Sequence, residues 1–226
     1  MDVGKPEEVQ FQVKKVFVLL RKNSKTFIPP AIDQIILEFG RDPFLILISC
    51  LLSLRTRDTT SVVISRKLFS RGHTPQEILA IPVHDLEKIF YSIGFFRAKA
   101  RTIRSVCQEL IDRFSGHVPQ TEQELLSIKG VGQKTANAVL GYAFNIPALC
   151  VDTHVHQIAN RLGWVQTRTP EQTEQALKKI VPKHYWIELN HLFVLWGQNI
   201  CTPTRPYCSR CAIAHLCPKL GVIHSR

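Results

Sequence analysis

The sequence predicts an all-α protein, on three observations. Apolar residues recur at helical spacing through most of the chain. Short alternating apolar/polar runs and Asn-Gly hairpin turns, the marks of strands, are absent. Capping residues with Pro or Glu behind them punctuate the apolar runs. No low-complexity segment or long linker interrupts the pattern.

The elements follow in order. Glu7–Lys22 carries Val9, Val13, Val16, Phe17 and Leu20 on one stripe. After Pro29-Pro30 a helix is predicted over Ala31–Phe39. Pro43 opens a strongly apolar helix running to Arg55, proline being tolerated in a first turn. Thr59 or Thr60 is the expected cap of a helix ending near Ser70 and Gly72. Thr74-Pro75-Gln76-Glu77 has the form of a capping box, and a short helix should follow it. Phe96–Phe114 is long, with Ile103, Cys107, Leu110 and Phe114 on one face. Arg97, Arg101 and Arg104 share another, a candidate phosphate-binding face. Thr121-Glu122-Gln123-Glu124 has the capping-box form again. Gln133–Ala143, Thr153–Leu162, a helix from Thr169-Pro170 to Ile180, and Lys183–Gln198 bring the count to about ten helices. A small metal-binding appendix ends the chain.

Composition bounds the function. Of 226 residues, 45% are hydrophobic and 21% charged, which excludes a disordered chain. Lys and Arg number 29 against 18 Asp and Glu, a formal +11, which points to a polyanion, either nucleic acid or an anionic membrane surface. The longest apolar stretch, Phe44–Leu54, is far short of the roughly 20 residues a membrane span needs. The start, MDVGKPEEVQ, has early acids and no apolar segment, so no secretory signal is expected. An intracellular, reducing location follows.

Cys50, Cys107 and Cys150 stand alone inside apolar runs and read as core filler. Cys201, Cys208, Cys211 and Cys217 form a Cys-x6-Cys-x2-Cys-x5-Cys cluster among prolines. Under reducing conditions this is a metal site, not two disulfides. Zinc usually takes two close cysteine pairs, and only one is present. An iron–sulfur cluster tolerates uneven spacing.

Lys129-Gly130-Val131-Gly132 lies between two predicted helices. Its backbone can turn tightly with amides outward, and those amides with the next helix N-terminus favour a phosphate. An ordinary helix–helix turn has the same look. Lys134 follows in the first turn of a helix, where the macrodipole disfavours positive charge. That favours the neutral amine a nucleophile requires, although a solvated or phosphate-binding lysine fits too. Asp152, in Val-Asp-Thr-His, is placed as the N-cap of the next helix.

Together, Ile-Lys-Gly-Val-Gly-Gln-Lys-Thr-Ala-Asn, Val-Asp-Thr-His and the four cysteines, in this order and spacing, resemble the endonuclease III family of helix-hairpin-helix DNA glycosylases. The similarity runs from about Pro43 to Cys217. It implies two helical lobes, residues 34–146 and residues 1–33 with 147–226, the second carrying a cluster loop over 196–218. The active site is expected in a cleft between them. The resemblance implies excision of oxidised pyrimidines from double-stranded DNA, with cleavage at abasic sites. Lys134 matches the nucleophile and Asp152 the assisting carboxylate. The four cysteines match the ligands of a [4Fe–4S] cluster, whose loop offers Arg205 and Arg210 to phosphates. A flipped base leaves a gap to be filled. Arg55 stands where many members carry glutamine for that purpose, and Phe95 matches an apolar wedge, though a buried aromatic reads the same. Lys129 replaces a common proline. A monomer is expected, in the cytoplasm of a prokaryote or the nucleus or an organelle of a eukaryote. The alternatives are a monofunctional mismatch glycosylase, whose relatives usually lack the lysine, and a non-catalytic iron–sulfur DNA-binding module, which does not need both Lys134 and Asp152.

Overall fold

The computed structural model describes residues 6–226, which form twelve α-helices and three 3-10 turns, with no strand among the described residues. The chain divides into two compact units, cut between Pro29 and Pro30 and between Ile146 and Pro147. Among the described residues no helix is long and apolar enough to cross a membrane.

The unit from Pro30 to Ile146 holds α2 (Ala31–Phe39), α3 (Pro43–Ser53), α4 (Asp58–Phe69), α5 (Pro75–Ala80), α6 (Val83–Phe90), α7 (Phe96–Phe114), α8 (Glu122–Ser127) and α9 (Gln133–Phe144). Its centre is α3. Phe44 to Ser49, Leu51 and Leu52 are all buried, the mark of a helix enclosed on nearly every side. Helices α2, α4, α7 and α9 pack around it. Asp42 caps it, its side chain accepting from the Leu45 amide at 2.9 Å.

Several local expectations are corrected. Helix α4 starts at Asp58, not behind Thr59 or Thr60. Asp58 is drawn to α2, accepting from the Ala31 amide at 3.1 Å, and so caps a helix whose own N-cap, Pro30, has no capping side chain. Helix α3 stops at Ser53, since Leu54 turns to ψ 119° and Arg55 then to φ +53°. Helix α6 has no counterpart in the sequence expectations. The Thr74 capping box is present in full, whereas Thr121 caps Glu124 but gives its own hydroxyl proton to the Glu124 carboxylate at 2.6 Å.

The second unit holds α1 (Pro6–Asn23), α10 (Thr153–Arg161), α11 (Pro170–Ile180) and α12 (Trp186–Asn199). The α1 stripe Val9, Val13, Val16, Phe17 and Leu20 is buried against Trp164, Leu177, Phe193 and Trp196. The Phe17 ring meets Tyr185 edge-on at 4.9 Å, and Trp164 Nε1 donates to Gln12 at 3.0 Å. The Arg21–Glu188 ion pair ties α1 to α12. Lys183–Tyr185 forms a 3-10 turn ahead of α12 where the sequence predicts one continuous helix.

Candidate functional site

The hairpin joins α8 to α9. Gly130 requires glycine twice over: its φ is +100°, and an added Cβ would lie 2.7 Å from Thr102 Cγ2. Gly132 has ordinary φ and open space, so it serves as a bare N-cap for α9. The expectation of outward amides is corrected at two positions. The Lys129 amide donates to Glu109 at 3.1 Å, and the Val131 amide donates to Ile128 O at 3.0 Å with its side chain buried. The Gly130 and Gly132 amides have no partner among the described residues and remain for an anion. Lys134 is exposed in the first turn of α9. Across from it on α3, burial pushes the Cys50 thiol up to about 12, with the Lys134 charge pulling partly back.

A groove of about 370 Å³ opens beside the hairpin, lined by Leu54, Arg55, Phe95, Lys99, Thr102 and Gly130 among others. Two of these residues are in the left-handed region without being glycine, Arg55 at φ +53° and Phe95 at φ +59°. Phe95 is 68% exposed, so it is not the buried aromatic the sequence also allows. The Arg55 guanidinium lies 5.9 Å from the Phe95 ring centroid. Next to them Tyr91, also exposed, meets Phe96 edge-on, and Arg97 lies over the Phe96 ring. Sequence reasoning missed Lys99. Its ammonium is half-buried, and burial pulls it down to about 8 against three backbone carbonyls that favour the charged form.

The arginine face of α7 is also corrected. Arg101 is exposed and Arg97 faces Glu87 at 3.8 Å. Arg104, however, donates to Leu79 O and Ile81 O at 2.8 and 2.9 Å, closing the end of α5. Its Nη1 is thus committed to fastening the fold.

Asp152 is the N-cap of α10. Its Oδ1 accepts from the His154 and Val155 amides, both at 2.9 Å, and Oδ2 lies 3.0 Å from His154 Nδ1. His154 is held in turn by Gly197, where a Cβ would come within 2.5 Å of the ring. The capping and pairing fix the carboxylate in one orientation.

The four cysteines are free thiols lining one small pocket with Arg161, Trp196, Ile200 and Tyr207. Three sulfurs already accept hydrogen bonds, Cys201 from Arg161 at 3.2 Å, Cys211 from Trp196 Nε1 at 3.4 Å and Cys217 from the Lys219 amide at 3.4 Å. Burial pushes Cys201 and Cys217 up, Cys217 to about 11, while Arg161 and the Lys219 amide pull the other way. Arg161, almost fully buried, also donates to the carbonyls of Thr202 and Pro203. Among the described residues no three His, Cys, Asp or Glu converge closely enough for a single metal ion. Arg205 and Arg210 are exposed on this loop, Arg210 over the Tyr207 ring. No sequence signal points to Arg226 as their companion. Its guanidinium lies 4.9 Å from the same ring, and its backbone pairs with Pro206 and Ser209.

Residues 48–183 match the family described as HhH-GPD superfamily base excision DNA repair protein. A Thermotoga maritima protein named endonuclease III is 47% identical over 176 residues, covering 78% of this chain and 83% of its own. The chloroplastic endonuclease III homolog 2 of Arabidopsis thaliana is 40% identical over 184 residues, covering 77% of this chain and 48% of that longer protein. A solved non-covalent endonuclease III–DNA complex superposes with a TM-score of 0.82 at 34% identity, over 93% of this chain and 95% of the other.

Proposed function

The chain belongs to the endonuclease III family within the HhH-GPD base excision repair proteins, and from that membership we propose the chemistry of this DNA glycosylase. Lys134 is the nucleophile and Asp152 the carboxylate that assists it. The observation that carries the reading is Lys134 exposed at the start of α9, directly behind a hairpin with two unspent amides.

The hairpin grips backbone phosphates without reading bases. The damaged nucleotide, an oxidised pyrimidine in duplex DNA, leaves the stack, and Arg55 with Phe95 fills the space. Lys134 Nζ, after giving up a proton, attacks C1′ and the base leaves with the bonding pair of the N-glycosidic bond. Asp152 stabilises the positive charge that develops on the sugar, a role suited to a carboxylate with one fixed orientation. Loss of a proton from nitrogen and ring opening give a Schiff base. Removal of a C2′ proton then expels the 3′ phosphate, cutting the strand by β-elimination. The same lysine acts on a pre-existing abasic site.

Cys201, Cys208, Cys211 and Cys217 suit a [4Fe–4S] cluster. Four thiols spread around one pocket, three with donors on sulfur, fit a multi-iron group better than a single ion. When bound, the group cross-links the loop that presents Arg205 and Arg210 to phosphates.

Borohydride reduction in the presence of lesion-bearing duplex is expected to trap protein on DNA through Lys134. A Lys134→Gln variant should bind the duplex and give neither adduct nor nick. Nicking that persists in this variant overturns the nucleophile assignment.

A further inference from the structure

Every carbonyl at the end of α3 has a donor. Cys50 O accepts from Ser53 Oγ at 2.8 Å, and Ser53 O from the Thr56 amide at 3.0 Å. The carbonyls of Leu51, Leu52 and Leu54 accept from one atom, Lys99 Nζ, at 3.2, 2.8 and 2.6 Å. An ammonium has three protons to give. All of them are therefore committed to this turn, including the carbonyl next to Arg55. That neighbour is in a region that strains any residue with a Cβ, so something must hold it there.

Lys99 is bound at its other end as well. Its amide donates to Phe95 O at 2.9 Å, and Phe95 is the second strained residue. A single residue thus grips the turn before Arg55 with its side chain and Phe95 with its backbone. The two side chains meet at 5.9 Å over one groove.

We propose that Lys99 is a positioning residue that locks the Arg55 turn to the Phe95 turn, so that both side chains enter a damaged duplex as one preassembled unit. The inference rests on the reading of Arg55 and Phe95 as the pair that fills the gap. An ordinary helix cap would stabilise α3 and stop there. A coupler also sets the rate at which the pair inserts, because two independently mobile turns must find the inserted geometry together.

The test is stopped-flow fluorescence of 2-aminopurine placed opposite a stable abasic analogue in duplex DNA, at saturating enzyme. Lys99→Met is expected to slow the fluorescence rise about tenfold. Arg55→Ala should slow it comparably, and the double variant should be no slower than Arg55→Ala alone. Lys99→Arg, which keeps several donors, should restore most of the rate. Two results overturn the coupling: a parental rise in Lys99→Met with only a lower melting temperature, or slowing that multiplies in the double variant. Parental rates in both Arg55→Ala and Phe95→Ala mean the gap-filling reading has failed, and the coupling falls with it. Where Lys99→Met does not fold, Lys99→Gln enters the same cycle.

Discussion

In the unit spanning 30–146, carbonyls left over at helix C-termini are taken up by cations. Lys99 serves α3, Arg104 serves α5, Arg113 donates to Ser127 O at the end of α8, and Arg41 donates to Tyr142 O in the last turn of α9. In the other unit the chain after α12 forms nothing longer than a 3-10 turn. Its carbonyls and sulfurs draw donors mainly from Arg161, Gln157 and Trp196. The first unit closes its ends with its own side chains. The second leaves a segment tied down by one buried guanidinium and the Trp196 indole, which the proposed cluster would cross-link, so the two should fail under different treatments.

Removing a ligand should separate them most. Cys211→Ser, or chelation of iron from the proposed cluster, is expected to cost the loop over 200–226 more than about 3 kcal/mol of local stability. Hydrogen exchange should rise there while the 30–146 amides stay protected. Equal losses in both units would erase the contrast. Next is Arg161→Met, expected to cost about 2–3 kcal/mol by stranding buried carbonyls and one sulfur, against about 1 kcal/mol for Arg104→Met at a wetter helix end. Chemical denaturation of both variants checks the ratio. Within the first unit, Gly130→Ala should cost about 1–2 kcal/mol from its left-handed φ, before the contact with Thr102 is counted. Gly132→Ala should stay within about 0.5 kcal/mol by thermal melting. The smallest effect is alkaline. Burial raises Cys50 and Cys107 to about 12. A raised thiol contributes stability in full below its unfolded value near 9 and loses it as pH climbs through 12. Thiolate absorbance from these two should therefore be missing at pH 9 and appear on unfolding.

The helices were largely legible because their cause is local. The α1 stripe, the Pro43 start and the Thr74 box all lie within a few residues of what they determine. Helix α6 escaped because it is short, follows Pro82 and has no capping side chain. Cation roles were illegible for a different reason. Arg104 and Arg101 are alike in sequence, and only the arrival of the α5 carbonyls makes one a fastener. Lys99 is an unremarked lysine until α3 ends beneath it. The four cysteines were plain from spacing, whereas Arg226 needed the tail to fold back onto Pro206 and Ser209.

The cations committed to carbonyls bear on what a salt titration will report. Affinity for a duplex falls with salt in proportion to the counterions displaced, about 0.9 per phosphate neutralised. Formal charge overstates that slope, since Arg41, Lys99, Arg104, Arg113 and Arg161 keep their charge but have donors already engaged by the protein's own carbonyls and are less available to phosphates. Ion release upon binding should thus be smaller than a formal +11 suggests.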